Sequence, residues 1–316
     1  MVCVSTVDVH QHLWPDALIA ELTWRRAPPL LRRTGRGWTL RLHDEPECGF
    51  DPADHDPGAR VDQLERDGLD RALLAVSSPL GIEGLPRAEA EPLLDAHNRG
   101  LLDLDPRLGV WGAVSLRPPV ALDVDDLLAA GAVGISLPAG ALAGPRSLER
   151  CAGVLDRLEA NNAPLLVHPG PGPGRAQAYA EAGTPGWWPA MTRYVGDMNA
   201  AWHAFVAFGR PRHPRLRVVF AMLAGGAPLH VERLGARGGP TASVADPGLF
   251  YDTSSYGART IDAIVRVVGV DQVVYGSDRP VVDPAPASVL GPAARAAMVA
   301  TNVARLLGER PAAVAA

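Results

Sequence analysis

The sequence predicts a single (β/α)8 barrel, an α/β fold, and three observations carry that expectation. Eight short apolar runs alternate with helical patterns along nearly the whole chain. Most of the runs are continuously apolar, as parallel strands covered on both faces should be. The length of 316 residues suits one α/β barrel, and no linker-like tract divides it. Eightfold strand–helix alternation with right-handed crossovers favours a closed barrel over an open doubly wound sheet.

The apolar runs cover residues 4–9, 71–76, 109–115, 133–137, 164–167, 217–221, 250–253 and 272–275. Helical patterns fill the gaps at 59–67, 87–104, 123–130, 147–161, 190–208, 228–234 and 258–268, and 292–307 closes the chain. Residues 1–316 are therefore expected to form one domain with two insertions. The first, 15–58, contains an alternating segment at 35–43 that reads as a small flap strand. The second, 169–216, opens with Pro-Gly-Pro-Gly-Pro-Gly and carries Trp187, Trp188, Tyr194, Met198 and Trp202. Both leave C-terminal strand ends, where long loops form lids or pocket walls. Trp202 is expected to pack the extra helix, and Trp187 or Trp188 to border substrate.

Four polar residues fall at strand ends. His10 and His12 close the first run and, by strand alternation, point to one side while Gln11 points away. His168 follows the fifth run and Asp278 the eighth. Three imidazoles and a carboxylate at one end of a barrel make a site for one borderline divalent ion, with Zn²⁺ the first expectation. Any one of these histidines alone would more often be a satisfied core or surface residue.

Composition excludes several alternatives. The net charge of −5 and the absence of a basic run give no case for nucleic acid or a membrane surface. No signal-like start or membrane-length apolar stretch is evident, so a cytoplasmic protein acting on a small molecule is expected, with a homodimer the commonest assembly. Cys3, Cys48 and Cys151 are scattered and read as reduced bystanders. All 30 basic residues are Arg. Without lysine there is no Schiff base and no carboxylated lysine bridging two metals, so a mononuclear centre is expected.

With these residues in hand, the chain resembles the amidohydrolase superfamily, in the branch that holds aromatic-acid decarboxylases and sugar lactonases. Asp8-Val-His-Gln-His-Leu-Trp14 is similar to the branch's first-strand motif, and 61–72 to the helix leading into its second strand. Val167-His168-Pro169 matches the fifth-strand histidine, and Tyr275-Gly-Ser-Asp-Arg-Pro280 the last-strand aspartate. The departure is on the sixth strand. The family carries a histidine before its glycines, whereas this chain has Met222, which transfers no protons. His203, in the second insertion, is a conceivable substitute; His230 reads as a helix-surface residue. His43, His55, His97 and His213 have no partner visible in the sequence.

The resemblance implies a metal-dependent enzyme. Metal-bound water has its pKa lowered from about 15.7 to roughly 7, and Asp278 would take its proton and deliver it to a leaving group. Because one carboxylate can serve both steps without Met222's missing counterpart, hydrolysis of a lactone, ester or amide is the first expectation. Decarboxylation of an aromatic or unsaturated acid is the alternative, and a catalytically silent binding barrel the third. Trp14, Trp188 and Met222 are expected to line the pocket, and Arg279 either to steer an anionic group or to brace the rim.

Overall fold

The computed structural model describes residues 5–35, 37–43, 45–174 and 183–309. Cys3, the start of the first apolar run and part of the second insertion lie outside them. Eleven strands are formed among the described residues: β1 (Val7–Gln11), β2 (Leu30–Thr34), β3 (Gly37–Arg41), β4 (Cys48–Phe50), β5 (Arg71–Leu74), β6 (Leu108–Ala113), β7 (Gly134–Pro138), β8 (Leu165–His168), β9 (Val218–Phe220), β10 (Leu249–Asp252) and β11 (Val273–Val274). Eight of them, β1 and β5 to β11, make one parallel sheet in that order. The two ends meet: Val9 N donates to Tyr275 O at 2.9 Å, Asp278 N to His10 O at 2.9 Å and His12 N to Arg279 O at 2.7 Å. The result is a (β/α)8 barrel.

These closing bonds explain where the first strand runs. The apolar run alone places the strand at 4–9, but pairing with 275–279 carries it through Gln11. Both faces of the barrel wall are covered, so β1 and β8 are buried at every position. Trp111 fills the interior, fully buried, with its indole N–H on Val9 O at 2.9 Å.

The helices follow local rules. In Pro57–Asp67 the Asp56 carboxylate caps Ala59 N, proline opens the first turn and Gly68, at φ 63°, ends the helix. Ala258–Val268 buries Ile261, Ile264 and Val268, one stripe at helical spacing. No helix among the described residues is long and apolar enough to cross a membrane.

The first insertion is more than one strand. β2, β3 and β4 form an antiparallel sheet with Leu31 opposite Leu40 and Thr39 opposite Gly49. Only β3 alternates clearly enough to be read from sequence. In the second insertion, Trp202 is fully buried and donates to Tyr251 Oη at 3.0 Å, packing helix Val195–Ala204 on the barrel. Tyr194 Oη donates to Glu45, so the two insertions touch. The Pro-Gly run lies extended across neighbouring loops. A Cβ on Gly172 would sit 2.3 Å from Gly140 O, and Gly140 N donates to Gly170 O at 3.0 Å. Glycine is required there because two backbones pass in contact.

Candidate metal centre

His10, His12, His168 and Asp278 meet at the C-terminal mouth of the barrel. One ligand atom from each lies within 4.8 Å of every other, and all four residues are buried. His12 Nε2 is 3.2 Å from His10 Nε2, 3.1 Å from His168 Nε2 and 3.1 Å from Asp278 Oδ1. The strand alternation that sets this up also sends Gln11 outward. There Arg60, on the helix after β4, donates to Gln11 Oε1 at 2.9 Å and to His12 O at 3.0 Å.

The short ring-to-ring distances are not hydrogen bonds. A neutral imidazole has one N–H, and each ring spends it on the far side. His10 Nδ1 donates to Asp252 Oδ2 at 2.7 Å, His12 Nδ1 to Ala75 O at 2.8 Å and His168 Nδ1 to Pro169 O at 2.7 Å. With each ring neutral in this tautomer, three Nε2 lone pairs and a carboxylate oxygen face one another. The three separations from His12 are near the roughly 3.3 Å that a tetrahedral ion with bonds of about 2.05 Å requires, while His10 Nε2 and Asp278 Oδ1 stand 3.7 Å apart. The donor set fits a divalent ion, and the second-contact partners that fix the tautomers are those of metal-bound histidine.

The ionisable groups of the cluster act on one another. Burial alone would push His10 down, but Asp252, with Asp278 and Asp8, carries it up to about 9. His168 is held well below the usual range by burial and by His10 and His12. Burial opposes ionisation of Asp278, yet its contacts with His12, His10 and His168 hold it below the ordinary carboxylate value.

Several supporting residues were not readable as functional. Asp252 accepts from Met222 N and Ser254 N through Oδ1, at 3.0 and 2.9 Å, while Oδ2 holds His10. Ser255 Oγ donates to Asp278 Oδ2 at 3.1 Å. Asp8 takes His10 N at 3.1 Å and Ser277 N at 3.0 Å, joining β1 to the turn that carries Asp278. The signal was present in Asp252-Thr-Ser-Ser255, a polar group ending the seventh barrel strand, but nothing local ties it to His10. Glycine at 276 is dictated by the same cluster, since a Cβ there would lie 2.9 Å from Asp252 Cγ and from His10 Cβ.

Met222 begins a left-handed turn. φ is 52° at Met222, 48° at Leu223, 55° at Ala224, 59° at Gly225 and 77° at Gly226. For the non-glycine members this costs about 1–2 kcal/mol each, and the bonds from Met222 N to Asp252 and Ser254 help hold the turn. Met222 itself is half-buried.

The remaining sequence-chosen residues are dispersed. Trp14 is buried, donates to Ser77 Oγ at 3.0 Å and stacks on Phe50 and His55 at 4.9 and 5.2 Å. Its backbone N–H donates to His55 Nδ1 at 3.1 Å, a partner for His55 that the sequence could not reveal. Trp188 is half-buried beside Trp187, which is 59% exposed. Arg279 NH2 lies 3.4 Å from Asp67 on helix Pro57–Asp67, a contact at the barrel rim. His203 lines a groove with His230 between two outer helical segments.

No family model matches the sequence, and no curated protein matches it. Solved structures do resemble it in shape. An IDCase from Metarhizium anisopliae superposes with TM-score 0.77 at 18% identity, covering 96% of this chain and 97% of that one. A 5-carboxyvanillate decarboxylase from Novosphingobium aromaticivorans, with bound manganese, gives TM-score 0.74 at 16% identity over 96% and 97% of the two chains. An amidohydrolase II structure gives 0.68 at 18% identity over 96% and 100%. Near-complete coverage in both directions shows that this chain shares its barrel fold with these structures.

Proposed function

We propose that this chain is a metal-dependent enzyme that releases CO₂ from an aromatic or unsaturated carboxylic acid. The observation that carries the reading is the convergence of three Nε2 lone pairs and one Asp278 oxygen. Decarboxylases among the structural neighbours, one of them holding manganese, support it over the hydrolysis that the sequence suggested first. A divalent ion held by His10, His12, His168 and Asp278, Zn²⁺ or Mn²⁺, would supply Lewis-acid stabilisation of charge on substrate oxygens.

Asp278 is the proposed proton-transfer group. Oδ1 is turned to His12 and Oδ2 to the Ser255 hydroxyl, so the carboxyl is oriented before substrate arrives. In decarboxylation the C–C bond to the carboxylate breaks, its electron pair stays on the substrate carbon, and a proton must reach that carbon. Asp278 would accept a proton from the bound substrate or water and hand it on. Asp252, Ala75 O and Pro169 O would hold the three rings still.

One observation favours hydrolysis as the second reading. Met222 offers a thioether and a backbone N–H already given to Asp252, so the sixth strand supplies no proton carrier. Hydrolysis with Asp278 as the only acid–base group needs none. The test is CO₂ release by Mn²⁺- and Zn²⁺-loaded protein from 2,6-dihydroxybenzoate and 5-carboxyvanillate, beside hydrolysis of phenyl acetate and dihydrocoumarin. CO₂ release with inert esters is expected; ester or lactone turnover without CO₂ would replace this reading with the second.

A further inference from the structure

A second constellation lies between helix Val195–Ala204, which follows β8, and the segment 228–237, which follows β9. Asn199 and His203 stand one helical turn apart on the first; His230, Arg233 and Arg237 follow one face of the second. Together with Leu234 they line a groove of about 330 Å³. Among the described residues no carboxylate lines it. Among the described residues, none of these five polar side chains has a hydrogen-bond or ion-pair partner.

Three other helical arginines have an acid within one turn. Arg99 pairs with Asp95, Arg266 with Asp262 and Arg87 with Glu91, each across one helical turn. At the same spacing Arg233 meets Arg237, a like-charge pair that is unfavourable without a counter-ion. The two histidines add directed donors to this field. Burial, and then His230, keep His203 below its usual pKa. The volume falls at the small end of ligand sites, about 300–1,000 Å³.

We propose that this groove binds a small, multiply charged oxyanion of the phosphate or polycarboxylate type. Arg233 and Arg237 would supply the charge and bidentate donors, and Asn199, His203 and His230 the orienting hydrogen bonds. The site is independent of the metal centre and of the reaction assigned to it.

Isothermal titration with pyrophosphate, and separately with tricarballylate, tests the proposal on the intact metal-loaded chain. Saturable 1:1 binding of at least one probe is expected, and the probe that binds distinguishes phosphate from polycarboxylate ligands. R233Q/R237Q should weaken it about tenfold or more. R26Q/R33Q removes the same charge from two other exposed arginines and should leave it unchanged. Binding should also survive His12→Ala, which disables the metal centre. The proposal fails if neither probe binds, if R233Q/R237Q binds as the parent does, if R26Q/R33Q weakens binding equally, or if His12→Ala abolishes it.

Discussion

Asp252 Oδ2 lies 2.7 Å from His10 Nδ1, and the two side chains are 0% and 1% exposed. This contact fixes which nitrogen of His10 faces the centre, and the same carboxylate anchors the left-handed turn at Met222. The metal-facing ring and the altered sixth strand therefore share one support. Asp252→Ala should weaken metal binding about 10–100-fold, read by competition with a coloured chelator. Asp252→Asn, which keeps an acceptor but not the charge, should fall between. Parent-like affinity in both would show that His10 is held by packing alone.

Gly276→Ala introduces a methyl 2.9 Å from both Asp252 Cγ and His10 Cβ. The expected cost is about 1–3 kcal/mol of stability, together with loss of metal retention. Denaturant melts and metal content on the same preparation check this. A stable, fully metal-loaded variant would mean that the close approach is easily relieved.

Asp278→Asn should lower turnover about 10²–10⁴-fold at full metal occupancy, while Met222→Ala should change mainly KM. Metal content must be matched, since loss of a ligand imitates loss of a proton carrier. Near-parent kcat in Asp278→Asn would move the acid–base role to another residue. His55 would be the first to examine, because its ring lies on Trp14 just beyond the metal-facing strand.

Glu83 gives a pH prediction away from the centre. It is fully buried, accepts from Ser78 Oγ, and burial raises its carboxyl from 4.5 to about 7. A raised folded-state value means that the folded chain binds the extra proton between those two pH values. Stability from this group is therefore complete below about pH 4.5 and is lost as pH rises through 7, by about 3 kcal/mol in all. Glu83→Gln should raise Tm at pH 8 and change it little at pH 5. Equal shifts at both would show that Glu83 does not titrate in this range.

The barrel was legible because continuous apolar runs need no knowledge of what covers them. The four centre residues were legible for a related reason: each ends such a run, so its place followed from the strand. What failed was everything set by contacts distant in sequence. Asp252 reads as an ordinary polar strand end until it is seen 242 positions from its partner His10. The partner of Arg279, Asp67, ends a helix more than two hundred positions away, which the sequence does not show. β2 and β4 lack clear alternation and exist because β3 pairs with both. His203 sits in the insertion over which a lid was expected, but helix Val195–Ala204 turns it toward His230.

The central claim is that His10, His12, His168 and Asp278 hold one divalent ion. Anomalous diffraction at the metal edge, on crystals of protein purified without chelator, tests it most directly. One peak is predicted, about 2.0–2.2 Å from the three Nε2 atoms and an Asp278 oxygen. Two peaks at the mouth, a peak bound elsewhere, or none at all would contradict the account.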